Sequence, residues 1–270
     1  MGPQQQAATS RNPNNLDMIK VGTYQRRIHT NIDRVWENVL DWEHLPCLHN
    51  TSFNYVRLDE AAEWGWRIFS NTEGTDHVEL CVDKKKSQYV ARSYGNGHQF
   101  SEIWTKLIPI GQETDIDVSF FATNVSLAAK EKVGNIYLGL YKKLWDEDEA
   151  MMVERQKQLD HHSRAPDEVN LGDKQNLLST LPLTVELGKG TWVVREHQEE
   201  LIVHSAVCPH RLGPLTDTQI IDNKLTCPWH GYQFDVVTGV CAEPEDANCR
   251  MPRPPLLRTD KDGNIIITSR

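Results

Sequence analysis

Two short segments in the last third of the chain each offer one thiolate and one imidazole. They are Cys208-Pro209-His210 and Cys227-Pro228-Trp229-His230. Sixteen residues separate His210 from Cys227, which is enough for a strand and a turn that bring the second segment back to face the first. Two Cys can hold one iron and two His the other, the ligand set of a mixed-ligand [2Fe–2S] centre. Gly213-Pro214 and Gly231 allow tight turns that bring backbone N–H groups near the sulfurs.

A structural zinc ion is the alternative occupant of these four ligands. Zinc fingers usually present a Cys pair followed by a His pair, whereas here each segment carries one Cys and one His. The order of the ligands therefore favours the iron–sulfur centre over zinc.

With these two segments the chain resembles the Rieske family and, within it, the oxygenase-type branch. The respiratory branch has an extra Cys in each loop, and a Ser and a Tyr that hydrogen-bond the cluster. Here Leu212-Gly213-Pro214 contains no Cys and Trp229 stands where the other would be, while Tyr232 and Phe234 occupy the Ser and Tyr places. The resemblance implies a Rieske [2Fe–2S] cluster held by Cys208, His210, Cys227 and His230.

The composition predicts an ordinary soluble globular chain. It has 270 residues, 39% hydrophobic and 25% charged, and about 150 residues per domain suggests two domains. No run approaches the roughly 18 apolar residues of a membrane span. Residues 1–17 lack an apolar core and predict a disordered tail rather than a signal or an anchor. The net charge of −9 argues against a nucleic-acid partner, and nothing in the Cys usage implies an oxidising compartment, so we expect a cytoplasmic location.

The order of elements predicts an α+β domain over residues 18–161. Residues 18–29 alternate as in a strand, and N-cap residues at 30–33 open a helix that Pro46 is expected to end. Strand-like segments follow between about 52 and 121, and a long helical stretch covers about 127–161. This order resembles the helix-grip fold of START-like and Bet v 1-like proteins, which implies an apolar cavity between the sheet and the last helix.

The rest of the chain predicts a linker and a second domain. Residues 162–182 are polar and interrupted by Pro and Gly, which is typical of a linker. Residues 183–270 read as short strands around the two Cys/His segments. We therefore expect a small all-β Rieske domain there.

A second set of metal ligands is indicated near the end of the first predicted helix. Taken alone, two His and an Asp at such a place are more often surface or core residues than ligands. Rieske oxygenases carry an Asp-x-x-His-x4-His signature at a mononuclear iron, and Asp41, His44 and His49 match it position by position. The resemblance implies His44 and His49 as ligands of Fe(II), and Asp41 as the carboxylate that bridges to a Rieske His. Two imidazoles and one carboxylate would leave positions open for O₂ and substrate.

Helical phase selects the carboxylate that would complete this set. Four acids lie at 146–149 in the long helix, and at about 100° per residue only Asp148 falls in the middle of the apolar stripe. A buried acid is costly unless it is paired or binds a metal. Asp148 is therefore the predicted third ligand and Glu149 the reserve candidate, while a solvated acidic turn explains the other acids.

Together these sites predict the oxygenase component of a Rieske non-heme iron system that hydroxylates or demethylates a small, largely apolar substrate. The chain has no Gly-rich dinucleotide fingerprint, so electrons from NAD(P)H would arrive through a separate flavin reductase or ferredoxin. Family members generally pass electrons between subunits of a trimer. They usually place the Rieske domain first, whereas here it comes last.

Two other functions are compatible with the cluster. One is a Rieske ferredoxin fused to a START-like domain that binds a hydrophobic ligand without a second iron. The other is a Rieske redox sensor or regulatory subunit, but nothing in the sequence resembles a regulatory module. The Asp-x-x-His-x4-His match favours the enzyme over both.

We predict a low reduction potential, because Tyr232 and Phe234 stand at the positions where the respiratory branch has the Ser and Tyr that hydrogen-bond the cluster. Fewer hydrogen bonds to the cluster sulfurs stabilise the reduced state less, so we expect a midpoint near the low end of the Rieske range, roughly −150 mV. A redox titration of the purified protein measures it, and a clearly positive midpoint would contradict this expectation.

Overall fold

A computed structural model of the chain describes residues 18–161, 164–245 and 247–270. The predicted tail at 1–17 lies outside these residues. The chain divides into two compact units, Met1–Val153 and Glu154–Arg270. In the described ranges, no helix has the length and apolar composition needed to cross a membrane.

The described part of the first unit is built on a seven-stranded antiparallel sheet. Its strands are β1 Ile19–Ile28, β2 Arg57–Ala62, β3 Gly65–Phe69, β4 His77–Asp83, β5 Gln88–Gly95, β6 His98–Ile110 and β7 Glu113–Ala122. Strands β2 to β7 pair in chain order, and β1 pairs with β7, which gives the order β1-β7-β6-β5-β4-β3-β2. The predicted antiparallel meander is therefore present. Its first strand begins at Arg57 rather than near residue 52, because the N–H groups of Ser52 and Phe53 donate to the carbonyl of His49 in a turn.

Three helices accompany this sheet: α1 Ile32–Leu40, α2 Leu45–Leu48 and α3 Lys130–Asp160. Helix α1 begins where predicted, since the side chain of Asn31 accepts the N–H groups of Asp33 and Arg34. The prediction that Pro46 ends this helix is wrong. The backbone leaves the helix at Asp41, and Pro46 lies in the first turn of α2, where a missing N–H costs no hydrogen bond.

Helix α3 packs its apolar face against the sheet. The ring of Phe120 on β7 stacks on Tyr137 with centroids 5.6 Å apart and meets Tyr141 edge-on at 5.0 Å. Trp145 and Met152 extend the same buried cluster. The first unit is thus an antiparallel sheet closed by a long helix, the element order that the helix-grip resemblance implies.

The second unit is mainly β, as predicted for a Rieske domain. Its described elements are β8 Glu168–Asp173, α4 Lys174–Thr180, β9 Leu183–Leu187, β10 Gly190–His197, β11 Glu200–Ser205, β12 Ile220–Ile221, β13 Lys224–Thr226, β14 Gln233–Asp235, β15 Cys241–Glu243, β16 Leu256–Thr259 and β17 Asn264–Thr268. These strands form three small antiparallel sheets, with orders β11-β10-β9, β12-β13-β14-β15 and β16-β17-β8.

The prediction of a linker over 162–182 is wrong from Glu168 onwards. Strand β8 pairs with β17, with Val169 opposite Ile267, and α4 buries the side chain of Leu177. Val169 and Leu171 pack against the buried cluster of this unit. The apolar residues of the segment are therefore structural, although its polar and Pro- or Gly-interrupted composition is typical of a linker.

Helix α3 approaches β1 so closely at Gly134 that a Cβ there would lie 2.3 Å from the carbonyl oxygen of Val21. We expect Gly134→Ala to lower the free energy of unfolding by about 1–3 kcal/mol, because either the helix or the strand must move. Gly139→Ala is the matched control in the same helix, since a Cβ there meets nothing within 4 Å. The control should raise the free energy of unfolding by roughly 0.5–1 kcal/mol. Urea unfolding measures both, and stabilisation by both substitutions would contradict the close packing.

Candidate metal centres

The two Cys/His segments lie in loops with matching backbone hydrogen bonds. The first loop follows β11, and in it the N–H of Cys208 donates to the carbonyl of Gly213 at 2.8 Å. The second loop joins β13 to β14, and in it the N–H of Cys227 donates to the carbonyl of Tyr232 at 2.8 Å. In both loops, therefore, the backbone N–H of the cysteine donates to the carbonyl of the residue five positions later.

The residue four positions after each cysteine, Leu212 or Gly231, makes the turn of its loop possible. The N–H of Leu212 donates to the carbonyl of Cys208 at 3.0 Å, and that of Gly231 donates to the carbonyl of Cys227 at 2.9 Å. Both residues have a left-handed backbone, with φ of 64° at Leu212 and 71° at Gly231. Gly231 adopts this conformation without strain, as the sequence predicted, whereas Leu212 was not expected to do so.

These turns direct backbone N–H groups at the two sulfurs. Cys208 Sγ accepts from the N–H groups of His210 and Arg211, and Cys227 Sγ accepts from those of Trp229 and His230. The two thiols are also hydrogen-bonded to each other, which lowers the pKa of Cys227 to about 7 and raises that of Cys208. The pair therefore already stabilises one thiolate, the form that binds metal.

Gly213 allows the first loop to approach the second. A Cβ at this position would lie 2.8 Å from Cys227 Sγ and 3.0 Å from a ring carbon of Trp229. The rings of His210 and His230 lie edge to face with centroids 4.8 Å apart, and Tyr232 stacks on His210 at 3.9 Å. The two loops thus bring all four ligands of the predicted cluster together, and their donor types fit a [2Fe–2S] group with two thiolates and two imidazoles.

The second predicted ligand set also comes together. His44, His49 and Asp148 each offer one ligand atom, and these atoms all lie within 4.8 Å of one another. His44 precedes α2 and His49 follows it, while Asp148 lies in α3 on the face that carries Trp145 and Met152. All three side chains are buried. The short helix α2 thus turns the second imidazole back towards the first.

The two imidazoles converge on a single carboxylate oxygen. Asp148 Oδ1 lies 3.0 Å from His49 Nε2 and 3.4 Å from His44 Nε2. The same oxygen accepts a hydrogen bond of 2.9 Å from Nδ2 of Asn38 in α1. The Nε2 atoms and the carboxylate therefore face a common point, as ligands of one ion would.

A second carboxylate lies on the far side of each imidazole. Glu147 Oε2 is 2.6 Å from His49 Nδ1, and Asp41 Oδ2 is 3.9 Å from His44 Nδ1. A carboxylate at the distance of Glu147 holds a proton on Nδ1 and leaves Nε2 as the donor to a metal, whereas Asp41 is at ion-pair distance from His44. Asp41 thus lies against an imidazole of the triad, while Glu147 is a contact that the sequence reasoning assigned to solvent.

The charges of the site balance one another despite burial. Burial alone would raise the pKa of Asp148, but the hydrogen bond from His49, the nearby His44 and the Asn38 amide together lower it. Burial alone would lower the pKa of His49, but its bonds to Asp148 and Glu147 raise it. The pocket therefore favours a carboxylate at Asp148 beside a protonated imidazole at His49, and a bound cation would have to replace that proton.

The reserve candidate, Glu149, lies elsewhere. Its Oε1 accepts the backbone N–H of His29 at 2.8 Å and lies 2.6 Å from His29 Nδ1, and its Oε2 pairs with Arg26. Asp146 pairs with Arg26 and Lys142 on the exposed side of α3. The Glu149 carboxylate thus contacts β1 and the residue after it, and Asp148 is the acid that lies beside the two imidazoles.

Sequence reasoning missed two residues that contact the triad. From the sequence, Asn38 has no predicted role at the metal site, and Glu147 is predicted to lie in a solvated acidic turn. The available signal for Glu147 was its place next to Asp148, one residue from the middle of the apolar stripe. The pairing itself could not be seen, because it joins α2 to α3 across about a hundred residues of chain.

Comparison with known proteins finds a family match that lies mainly in the second unit. Residues 149–255 match the sequence profile of the Rieske [2Fe-2S] domain. This part of the chain therefore carries a Rieske [2Fe-2S] domain. The match confirms the Rieske domain predicted from the Cys/His segments, and its strands give the mainly β architecture expected for it.

Named relatives match short parts of the chain. Protein TIC 55, chloroplastic, of Pisum sativum is 30% identical over 88 residues, which cover 32% of this chain and 16% of that protein. The oxygenase component of dicamba O-demethylase from Stenotrophomonas maltophilia is 48% identical over 29 residues, 11% of this chain and 9% of that protein. The match to a named oxygenase component agrees with the oxygenase-type branch. The chain spans less than a fifth of the length of these relatives.

Solved structures also resemble parts of the chain. Pseudomonas putida CBB5 NdmA, a QL mutant with theobromine, is 24% identical, with a TM-score of 0.31 over 43% of this chain and 36% of that one. Norcoclaurine synthase from Thalictrum flavum is 13% identical, with a TM-score of 0.38 over 57% of this chain and 93% of that one.

The contact of Glu147 with His49 predicts a measurable effect on metal binding. We expect Glu147→Gln to weaken Fe(II) binding at the triad about 10- to 100-fold, because the imidazole loses the partner that orients it. Asp146→Asn is the matched control one residue away, since its carboxylate pairs with Lys142 and Arg26 instead. Anaerobic titration with ferrous iron against a chelator measures both affinities. Equal affinities for the two variants would show that Glu147 has no such role.

Proposed function

We propose that the chain is a Rieske oxygenase component with a mononuclear iron at His44, His49 and Asp148. The observation that carries the proposal is the convergence of two imidazole Nε2 atoms and one carboxylate on a common point inside the first unit. A 2-His-1-carboxylate set is typical of non-heme Fe(II) oxygenases because it leaves coordination positions open.

Burial supports a metal role over a chance cluster. A carboxylate and two imidazoles removed from water are costly unless they are paired or bound to an ion. Asp148 is 9% exposed, His44 3% and His49 1%. Asp148 nevertheless lies in the middle of an otherwise apolar face of α3, where a Leu or Met would pack without the cost of burying a charge.

Bound iron would supply the binding and reductive activation of O₂, with electrons delivered through the Rieske cluster. The chain's own residues prepare the site. Asn38 holds the Asp148 carboxylate by its Oδ1 atom, Glu147 fixes a proton of His49 on Nδ1, and Asp41 places a negative charge beside His44. We assign Asp41 as the bridging carboxylate between the triad and a Rieske His, supported by its place beside His44.

The surroundings of Asp148 suit a small, largely apolar substrate. Tyr89 of β5 and Tyr141 of α3 are buried, and the charge of Asp148 helps burial to raise the pKa of both phenols. Two neutral hydroxyls in this part of the apolar core would orient one polar group of a small organic molecule bound beside Asp148. Hydroxylation or demethylation is the reaction we assign to the site.

Electrons would come from NAD(P)H through a separate reductase or ferredoxin. The chain carries no Gly-rich fingerprint for a dinucleotide, so it needs a partner that handles flavin and nicotinamide. A trimer, in which one subunit's cluster serves another's iron, is the assembly that the family resemblance implies. A cytoplasmic location also stays a prediction.

A second function is favoured by one feature of the same site. The ion pair between His49 and Asp148 satisfies both groups without a metal. A Rieske ferredoxin fused to a START-like domain for a hydrophobic ligand could therefore keep these residues for stability alone. The two functions differ in the number of irons that the protein binds.

Iron and acid-labile sulfide per chain separate the two functions. After anaerobic reconstitution with ferrous iron we expect three irons to two sulfides, and two irons to two sulfides in His44→Ala, because one imidazole ligand is lost. His98→Ala is the control, since His98 is exposed at the start of β6. Two irons to two sulfides in both the wild type and His44→Ala would overturn the oxygenase and leave the ferredoxin fusion.

A further inference from the structure

Outside the metal centres, the second unit places two cysteines opposite each other. We propose that Cys241 and Cys249 are a modification site, a dithiol that forms a reversible disulfide by exchange with a low-molecular-weight disulfide such as glutathione disulfide. The proposal does not depend on the activity of the mononuclear site.

The backbone register brings the two residues together. Val240 forms an antiparallel bridge with Arg250, and the N–H of Met251 donates to the carbonyl of Gly239 at 2.9 Å. One step further along the same register, Cys241 is directly opposite Cys249. Residues opposite each other in an antiparallel pair point to the same face with Cα atoms about 4.5–5.5 Å apart. Disulfides form across Cα separations of roughly 4.4–6.8 Å, a range that includes the spacing of such opposite residues.

The side chains agree with this register. The thiols of Cys241 and Cys249 are in hydrogen-bonding contact with each other. Cys241 is 7% exposed, and its Sγ also donates to the carbonyl of Glu243 at 3.2 Å. Cys249 is half-buried, so a reagent in solution reaches Cys249 first, and Cys241 is placed to react with the product.

The other cysteines differ from this pair. Cys208 and Cys227 belong to the cluster loops. Cys47 and Cys81 lie in the first unit, and burial beside Glu79 raises the pKa of the Cys81 thiol to about 12. Cys47 is half-buried like Cys249 and lies in the other unit, so it serves as the comparison thiol.

The reaction balances as two thiol–disulfide exchanges. The Cys249 thiolate attacks glutathione disulfide, forms a mixed disulfide and releases one glutathione thiolate. Cys241 then loses its proton and displaces the second glutathione, so two protein thiols are oxidised and one glutathione disulfide is reduced to two thiols. Burial, together with the neighbouring Cys241 sulfur, raises the pKa of Cys249 to about 11. The exchange is therefore slow at pH 7 and accelerates about tenfold per pH unit up to that pKa.

The bond would brace the hairpin that carries the second cluster loop. Cys241 pairs with the fully buried Phe234 on β14, and β14 begins directly after that loop. A disulfide would tie the segment after β15 back to β15 in a ring of nine residues, 241–249. Strand β15, which pairs with β14, would then be held covalently to the segment that follows it.

Peptide mapping of the holoprotein tests the proposal. The protein is incubated with glutathione disulfide at pH 7, 8 and 9, denatured, alkylated and digested. Both cysteines fall in the tryptic peptide 225–250, so a second cleavage after Glu245 turns an intact bond into two linked peptides, 225–245 and 246–250. We expect this linked pair to become the main product, about tenfold faster per pH unit, and dithiothreitol to reverse it.

Two variants set the controls. Cys249→Ser should abolish the linked peptides, and Cys47→Ser should leave their yield and rate unchanged. Recovery of Cys249 as a stable glutathione adduct with Cys241 still alkylated would overturn the proposal. The proposal would also be overturned if Cys241 and Cys249 were both recovered as free thiols at pH 9 under conditions in which Cys47 had reacted completely.

Discussion

The first unit depends on a single buried carboxylate, that of Asp148. Its Oδ1 atom is contacted by His49, His44 and Asn38, which come from α1 and from both ends of α2. A charge inside an apolar interior must be matched by donors, and these donors fix how the segment 38–49 lies against α3. The position of the helix is in turn set by its apolar stripe and by the close approach of Gly134 to β1. The proposed metal site is therefore a direct consequence of how the helix packs on the sheet.

The second unit holds the sulfurs of Cys208 and Cys227 away from water. Cys208 is fully buried and Cys227 almost so. Each sulfur accepts two backbone N–H groups from its own loop, and Gly213 leaves room for one loop to approach the other. Backbone donors suit this task because their positions are set by the turn and not by a flexible side chain. The same donors would stabilise the charge of a bound cluster, which is one of the ways a protein tunes reduction potential.

Local patterns in the sequence were sufficient for some of these features and not for others. Asp148 could be selected because the phase of a rigid helix is known from its residue numbers alone, and the structure brings it to His49. The Cys/His loops could be recognised because ligand type and spacing are local. Pro46 misled because proline is compatible both with the end of one helix and with the first turn of the next.

Pairing between residues far apart in sequence explains what the sequence could not show about β8, Glu149 and Glu147. Strand β8 looked like a linker because the partner that makes it a strand, β17, is about a hundred residues away. Glu149 looked like a reserve ligand because its partners, Arg26 and His29, lie on β1 and directly after it. Glu147 looked solvated because its contact with His49 also joins distant segments. In each case the residue's own neighbours in sequence carry no information about the group that it contacts.

The central claim is that His44, His49 and Asp148 hold one iron apart from the cluster. Anomalous diffraction at the iron absorption edge, from crystals of anaerobically reconstituted protein, tests it most directly. The account predicts three iron positions per chain, two between Cys208, His210, Cys227 and His230 and one between the Nε2 atoms of His44 and His49 and the carboxylate of Asp148. Iron density at the cluster loops with none at the triad, in crystals grown with excess ferrous iron, would contradict it.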